Sequence, residues 1–449
     1  MEYRIEHDTM GEVRVPITAL YGAQTQRAAD NFPISSLRFP RVFLRALGLI
    51  KSAAAKVNGE LDELSPGLAG RIANAADQVA DGVYDSQFVV DVFQTGSGTS
   101  TNMNANEVIG HLAAAHPNDH VNRGQSSNDV FPTTIHLAAA LLVSEELLPA
   151  MHDLAASLTA KAAEFHDVIK IGRTHLQDAV PMRLGQEFGG YAHQLELAGQ
   201  RIQAALPGIY ELALGGTAVG TGLNAHPEFA PRVIRELARR TGLPLREAEN
   251  HFEAQASRDA VCFLSGALRN YAVALTKIAN DIRWLGAGPR CGIGELKVPA
   301  VQPGSSIMPG KVNPVIAESV LMGCAQVVGH DAAIAWCCAA GAFELNTMMP
   351  LMAYDLLDSI ALLSNVTRNF DSKCIQVLDA DRERAEGFIE QSLALATALV
   401  PKIGYEKAAE IAKEAYASRK TIRAVAQEKS GLSTEELQQL LDPRRQAGG

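Results

Sequence analysis

Residues 261–289 read VCFLSGALRNYAVALTKIANDIRWLGAGP, and this stretch decides the fold class. Its apolar residues Val261, Leu264, Leu268, Tyr271, Leu275, Ile278, Ile282 and Leu285 recur at alternating steps of three and four. That period lines one face of an α-helix. The run stops at Gly286-Ala287-Gly288-Pro289, a glycine C-terminus followed by proline. At about 1.5 Å per residue a helix of this length spans well over 30 Å, more than a compact small domain needs. Such helices pack in long bundles whose apolar seams can continue between subunits.

Working outward, Phe188, Tyr191, Leu195, Ala198 and Ile202 repeat the same spacing. Residues 314–342 are apolar almost all round (Val320, Leu321, Met322, Cys324, Val327, Val328, Ile334, Trp336), which places them at the centre of the bundle. Residues 42–80 are helical in character with a break at Ser65-Pro66-Gly67. Residues 1–40, rich in proline, glycine and short polar runs, predict an irregular arm with one short hairpin. From Asp381 onward the chain is more charged, with helices expected over 383–399, 405–417 and 434–441.

Four polar turns interrupt this helical chain. The first, 96–104, is a run of small hydroxyl, glycine and amide residues, which supplies many hydrogen-bond donors and little bulk. The second is Gln125-Ser126-Ser127-Asn128-Asp129, preceded by His116-Pro117-Asn118-Asp119-His120. Helix capping accounts for one or two of these residues and not for all. The third, Gly172-Arg173-Thr174-His175-Leu176-Gln177-Asp178, ends at Pro181. The fourth, 304–314, is Gly-Ser-Ser-Ile-Met-Pro-Gly-Lys-Val-Asn-Pro. Its glycines and prolines rule out a regular helix, and Asn313 reads as the N-cap of the helix behind it. Ser305, Ser306, Lys311 and Asn313 sit on a loop that feeds a helix N-terminus, a place suited to a small anion.

The bulk numbers narrow the class. With 449 residues, 47% hydrophobic and 20% charged, the chain has the balance of a globular protein with a large core. Forty basic against fifty acidic residues give a net charge of −10, which disfavours a nucleic-acid partner. Six cysteines without metal-finger spacing point to a reduced, cytoplasmic protein. The first residues show no secretory signal, and no uninterrupted apolar run reaches the roughly 18 residues of a membrane span.

The four turns, in this order along a helical chain, resemble the class II fumarase branch of the fumarase/aspartase superfamily over nearly the whole length. Residues 304–314 match that superfamily's fingerprint position for position. Gly96-Ser97-Gly98-Thr99, Gln125-Ser126-Ser127-Asn128, Gly310 and Phe343-Glu344-Leu345-Asn346 side with fumarases against the related aspartate ammonia-lyases. A catalytically silent structural relative is the other alternative, and its expected mark, damage to the polar turns, is absent.

The resemblance implies an all-α fold of three domains: 1–123, mixed and mostly helical; 124–381, the long-helix bundle; and 382–449, a small helical cap. It implies a homotetramer with a twenty-helix core and active sites each drawn from three chains, acting on a small dicarboxylate without metal or organic cofactor. The implied reaction is reversible hydration of fumarate to (S)-malate through an aci-carboxylate intermediate. By the same resemblance Ser305 is the carbon-proton base, Lys311 and Asn313 hold the charged carboxylate, and His175 with Glu318 polarises a water at the leaving hydroxyl. Ser97, Thr99, Ser126, Ser127, Asn128, Thr174 and Ser306 match substrate-binding positions. His116, Asn118 and Asp119 match a secondary dicarboxylate site. The chain is shorter than many fumarases just before His116, where a basic residue of that site usually lies, so the site is expected to be weakened or absent.

Overall fold

The periodic stretch forms the helix Asp259–Leu285. Its residues Val261, Leu264, Leu268, Tyr271, Leu275, Ile278 and Ile282 are all at most 1% exposed. Burial of each such large side chain contributes on the order of 1.5–3 kcal/mol, so this face rather than intrinsic propensity fixes the helix. These features come from a computed structural model, which describes residues 2–448. The expected helix around Tyr191 is present as Leu184–Ile209. A π-helical turn, Val143–Leu147, joins Ser127–Leu142 to Leu148–Glu164. Val315–Cys338 and Met349–Phe370 complete the long helices. Among the described residues every sheet is a two-stranded ribbon, and the fold is all-α.

The chain divides into two compact units. The first contains the chain up to Pro149, Ala198–Ala272 and Cys324–Ser364. In it Arg41–Glu60 packs on Ser127–Leu142 through Phe43 and Phe131, whose ring centroids lie 5.1 Å apart. Gly98 precedes the helix Thr99–Ala113 with φ 74°, and a Cβ there would fall 2.1 Å from the Phe131 ring. Glycine at 98 therefore lets the start of this helix approach the start of Ser127–Leu142.

The second unit contains Ala150–Leu197, Val273–Gly323 and the chain from Asn365 on. The third polar turn is the tip of an antiparallel hairpin, Ile169–Thr174 with Gln177–Arg183. His175 and Leu176 at the tip have φ 57° and 60°, the left-handed pair that closes a tight hairpin. Ile169 and Ile171 share a buried core with Ile389, Leu395, Leu399, Ile411, Ile422 and Val425 of the C-terminal helices.

Several expectations need correction. The N-terminal arm has the expected hairpin, Tyr3–Asp8 with Gly11–Pro16, and also a helix, Ala23–Asn31. The N–H groups at its start, of Gly22, Gln24 and Thr25, donate to the Glu107 carboxylate at 2.9–3.1 Å, a cap from a distant helix that local sequence does not show. The helix expected over 383–399 is broken into Arg382–Gly387 and two 3₁₀ segments, because Ser392 turns extended and caps Ala394. Asn313 is not a side-chain N-cap: its amide donates to Gly304 O at 2.6 Å, and the helix starts at Val315.

Val315–Cys338 buries only one side within the chain. Ala317, Val320, Cys324, Val327 and Ile334 are at most 1% exposed, whereas Met322 and Trp336 are 69% and 76% exposed. By length and mean hydropathy this helix and the continuous segment Ser127–Glu164 are each apolar enough to cross a membrane, although neither is an uninterrupted apolar run. The most apolar window of Ser127–Glu164 is 67% buried, as in a core helix.

Candidate functional site

The predicted site residues fall in both units. In the first unit three hydroxyls form a chain across two helix starts: Ser97 Oγ lies 2.8 Å from Thr99 Oγ1, which lies 2.7 Å from Ser127 Oγ. Both helices direct their positive dipole ends at this point, which favours a negatively charged ligand. Ser126 caps the second helix, accepting from Asn128 N at 3.2 Å, while Asp129 accepts from Ser126 N at 2.9 Å. The Asn128 amide donates to Ala218 O at 2.8 Å. Thr99, Ser126 and Ser127 line a cavity of about 390 Å³ together with Asn102, Thr217 and Asn224, a volume in the range of small-molecule sites.

Beneath this cavity lies a polar layer that the sequence reading passed over. Lys51 is fully buried, and its amine donates to Asn122 Oδ1 and Gln125 Oε1, both at 3.0 Å. Burial pulls this amine down to about 7, with the Asp129 charge acting the other way. Asp129 is also fully buried, and its second oxygen accepts from Gly215 N at 3.0 Å and Thr217 N at 2.9 Å. Burial pushes its carboxyl up, and the backbone N–H groups oppose that. The available signal was a lysine on the apolar stripe of Arg41–Glu60 with Leu44, Leu47 and Ala54. The run 215–222, four glycines in eight residues, was a second.

His116, Asn118 and Asp119 are at a one-turn π-helical segment, where His116 Nδ1 accepts from Asp119 N at 3.1 Å. His116 and Asn118 border a separate cavity of about 740 Å³ with Arg4, His7 and His111.

In the second unit the fingerprint loop is closed by its own hydrogen bonds. Gly304 N donates to Lys311 O at 2.8 Å, and a Cβ at Gly304 would lie 2.5 Å from that oxygen. Ser305 Oγ accepts from Ile307 N at 3.2 Å and Met308 N at 3.0 Å. Two backbone donors on one hydroxyl oxygen favour its negatively charged form. Ser306 and Lys311 are exposed, and Lys311 Nζ makes no ion pair with a described residue. Glu318 lies in the first turn of Val315–Cys338. Thr174 and His175 project, exposed, from the hairpin tip. No hydrogen bond or ion pair joins His175 to Glu318 within the chain.

The hairpin is anchored at its base. Arg173 donates twice to the fully buried Glu295, and Lys170 approaches Glu295 at 3.4 Å and Glu187 at 3.2 Å. Glu295 directly precedes the short strand Leu296–Lys297, which leads toward the fingerprint loop.

Residues 11–329 match the model of a family described as Lyase, and residues 395–445 match one described as Fumarase C C-terminus. A class II fumarate hydratase of Mycobacterium tuberculosis is 55% identical over 450 residues, covering 98% of this chain and 95% of its own length. One of Methylorubrum extorquens is 50% identical, covering 99% of this chain and 96% of its own. Among solved structures, a class II fumarase of Schistosoma mansoni superposes with a TM-score of 0.96 at 40% identity, covering 100% of this chain and 99% of its own.

Proposed function

The chain belongs to the class II fumarate hydratase family, and from that premise we infer how its residues interconvert fumarate and (S)-malate. It is a hydro-lyase. The observation that carries this reading is likeness over the full length, at 50–55% identity to fumarate hydratases.

The reaction removes a proton from a carbon beside a carboxylate, which loads that carboxylate with a second negative charge. Stabilising that charge is the main catalytic task. Ser305 takes the proton; the two backbone N–H groups on its oxygen support this role. Lys311 and Asn313 hold the doubly charged carboxylate. His175, oriented by Glu318, polarises the water that protonates the leaving hydroxyl. Ser97, Thr99, Ser126, Ser127 and Asn128, with Thr174 and Ser306, bind the other carboxylate and the hydroxyl.

His175 and Glu318 share no hydrogen bond or ion pair within one chain, which supports a working site that takes them from different copies. The exposed apolar residues Met322 and Trp336 on Val315–Cys338, with Phe263 at 60% exposure, support a homotetramer in which these helices meet. Each site then draws on three chains. A place in the tricarboxylic acid cycle of the cytoplasm is part of the same reading, supported by the likeness to fumarate hydratases.

Mixing the purified protein separately with malate and with aspartate, and following fumarate absorbance, tests the reading. Fumarate is expected from malate. Its formation from aspartate only would make the protein an ammonia-lyase instead.

A further inference from the structure

Thr217 has a backbone conformation that β-branched residues rarely take, with φ 52° in the left-handed region. Such a conformation persists only where the surroundings over-determine it. Here they do so from both sides. The Thr217 N–H donates to Asp129 Oδ2 at 2.9 Å, and its carbonyl accepts from Gln255 Nε2 at 2.7 Å. The preceding Gly216 leaves no slack, since a Cβ there would lie 2.2 Å from Gln255 Oε1.

The clamp fixes a side chain that uses none of its hydrogen-bonding capacity within the protein. Thr217 is 4% exposed, and its Oγ1 has no partner among the described residues. Buried hydroxyls are almost always paired, so an orphan in a strained loop calls for a ligand. Thr217 lines the same cavity as Thr99, Ser126 and Ser127. Asn102 Oδ1 is also unpaired there. It can only accept, since the Asn102 nitrogen donates to Asn122 Oδ1 at 3.3 Å, so it does not suit an anion. The Thr217 hydroxyl can donate.

We propose that Thr217 is a substrate-binding residue whose hydroxyl donates to the dicarboxylate carboxyl group held by Thr99, Ser126 and Ser127. The proposal rests on the fumarate hydratase reading and extends it to a loop in which no role had been assigned. Asp129 and Gln255 are then positioning residues that aim this hydroxyl.

The test compares Thr217→Val with Thr217→Ser in the full-length protein. Valine keeps the shape and the β-branched strain but loses the hydroxyl. Its kcat/KM for fumarate and for malate should fall roughly 10- to 100-fold, mainly through KM, as for loss of a hydrogen bond to a charged group. Serine restores the hydroxyl and should stay within about threefold of the unmodified protein. Melting temperatures and the shift produced by added fumarate are read alongside: fumarate should stabilise the unmodified and serine proteins and fail to stabilise the valine protein. A valine protein with unchanged KM and an unchanged fumarate shift overturns the proposal, as does one that loses activity only by melting early. An unmodified protein that neither hydrates fumarate nor is stabilised by it overturns the functional reading itself, and the proposal with it.

Discussion

Arg173 and Glu295 are joined by two parallel hydrogen bonds of 3.0 and 2.8 Å, with the glutamate carboxylate wholly out of solvent. Arg173 immediately precedes Thr174 and His175, so this pair sets where the hairpin tip stands relative to the segment leading into the fingerprint loop. Lys170, 1% exposed, shares the same carboxylate.

Glu295→Gln leaves the half-buried Arg173, and the buried Lys170 that keeps only Glu187, facing a neutral amide. Breaking a buried pair by removing one partner destabilises by roughly 3–5 kcal/mol. Urea unfolding of the variant should show a loss of that order, together with reduced turnover. A change below about 1 kcal/mol, the usual value of an exposed pair, would mean that the network carries little stability.

Ser305→Ala removes the oxygen on which two backbone N–H groups converge. As the proposed base, its loss should lower kcat roughly 100- to 10,000-fold with folding and assembly intact. Near-normal turnover in a folded variant would exclude Ser305 from proton abstraction.

Lys51 gives a pH prediction with a definite sign. Burial holds its amine at about 7 against an ordinary value of 10.5. Between those values the unfolded chain still carries the proton and the folded chain has released it, so stability rises with pH across that window. The destabilisation is fully present below the folded value. Lys51→Met should remove this rise: between pH of about 7 and 10 the unmodified protein should gain a few kcal/mol relative to the variant in urea unfolding. Parallel curves would show that Lys51 is not held deprotonated by the fold.

The long helices were legible because one periodic apolar face determines each of them; Asp259–Leu285 begins two residues before the first periodic position and ends on the last. The four turns were legible because glycine, hydroxyl and amide residues crowd where helices must start. Interactions between distant segments were not legible. Glu107 caps a helix more than eighty residues earlier, and the buried Lys51 supports a turn more than seventy residues later. Asn313 was misread because the helix starts two residues later, at Val315, and the Asn313 amide nitrogen ties the loop to Gly304 O instead. Met322 and Trp336 read as buried because a helix that is apolar almost all round gives no sign of which of its sides the rest of the chain covers.

In the proposed mechanism the Thr99–Ser127 hydroxyl cluster of one copy and the Ser305 loop of another act on one dicarboxylate. Thr99→Val and Ser305→Ala proteins, each strongly impaired alone, would be unfolded and refolded together, with separately refolded samples as controls, and fumarate formation from malate measured. The mixed sample should recover activity that neither control has, because some sites then combine an intact cluster with an intact loop. A mixed sample whose chains demonstrably co-assemble but remain as inactive as the controls would contradict it.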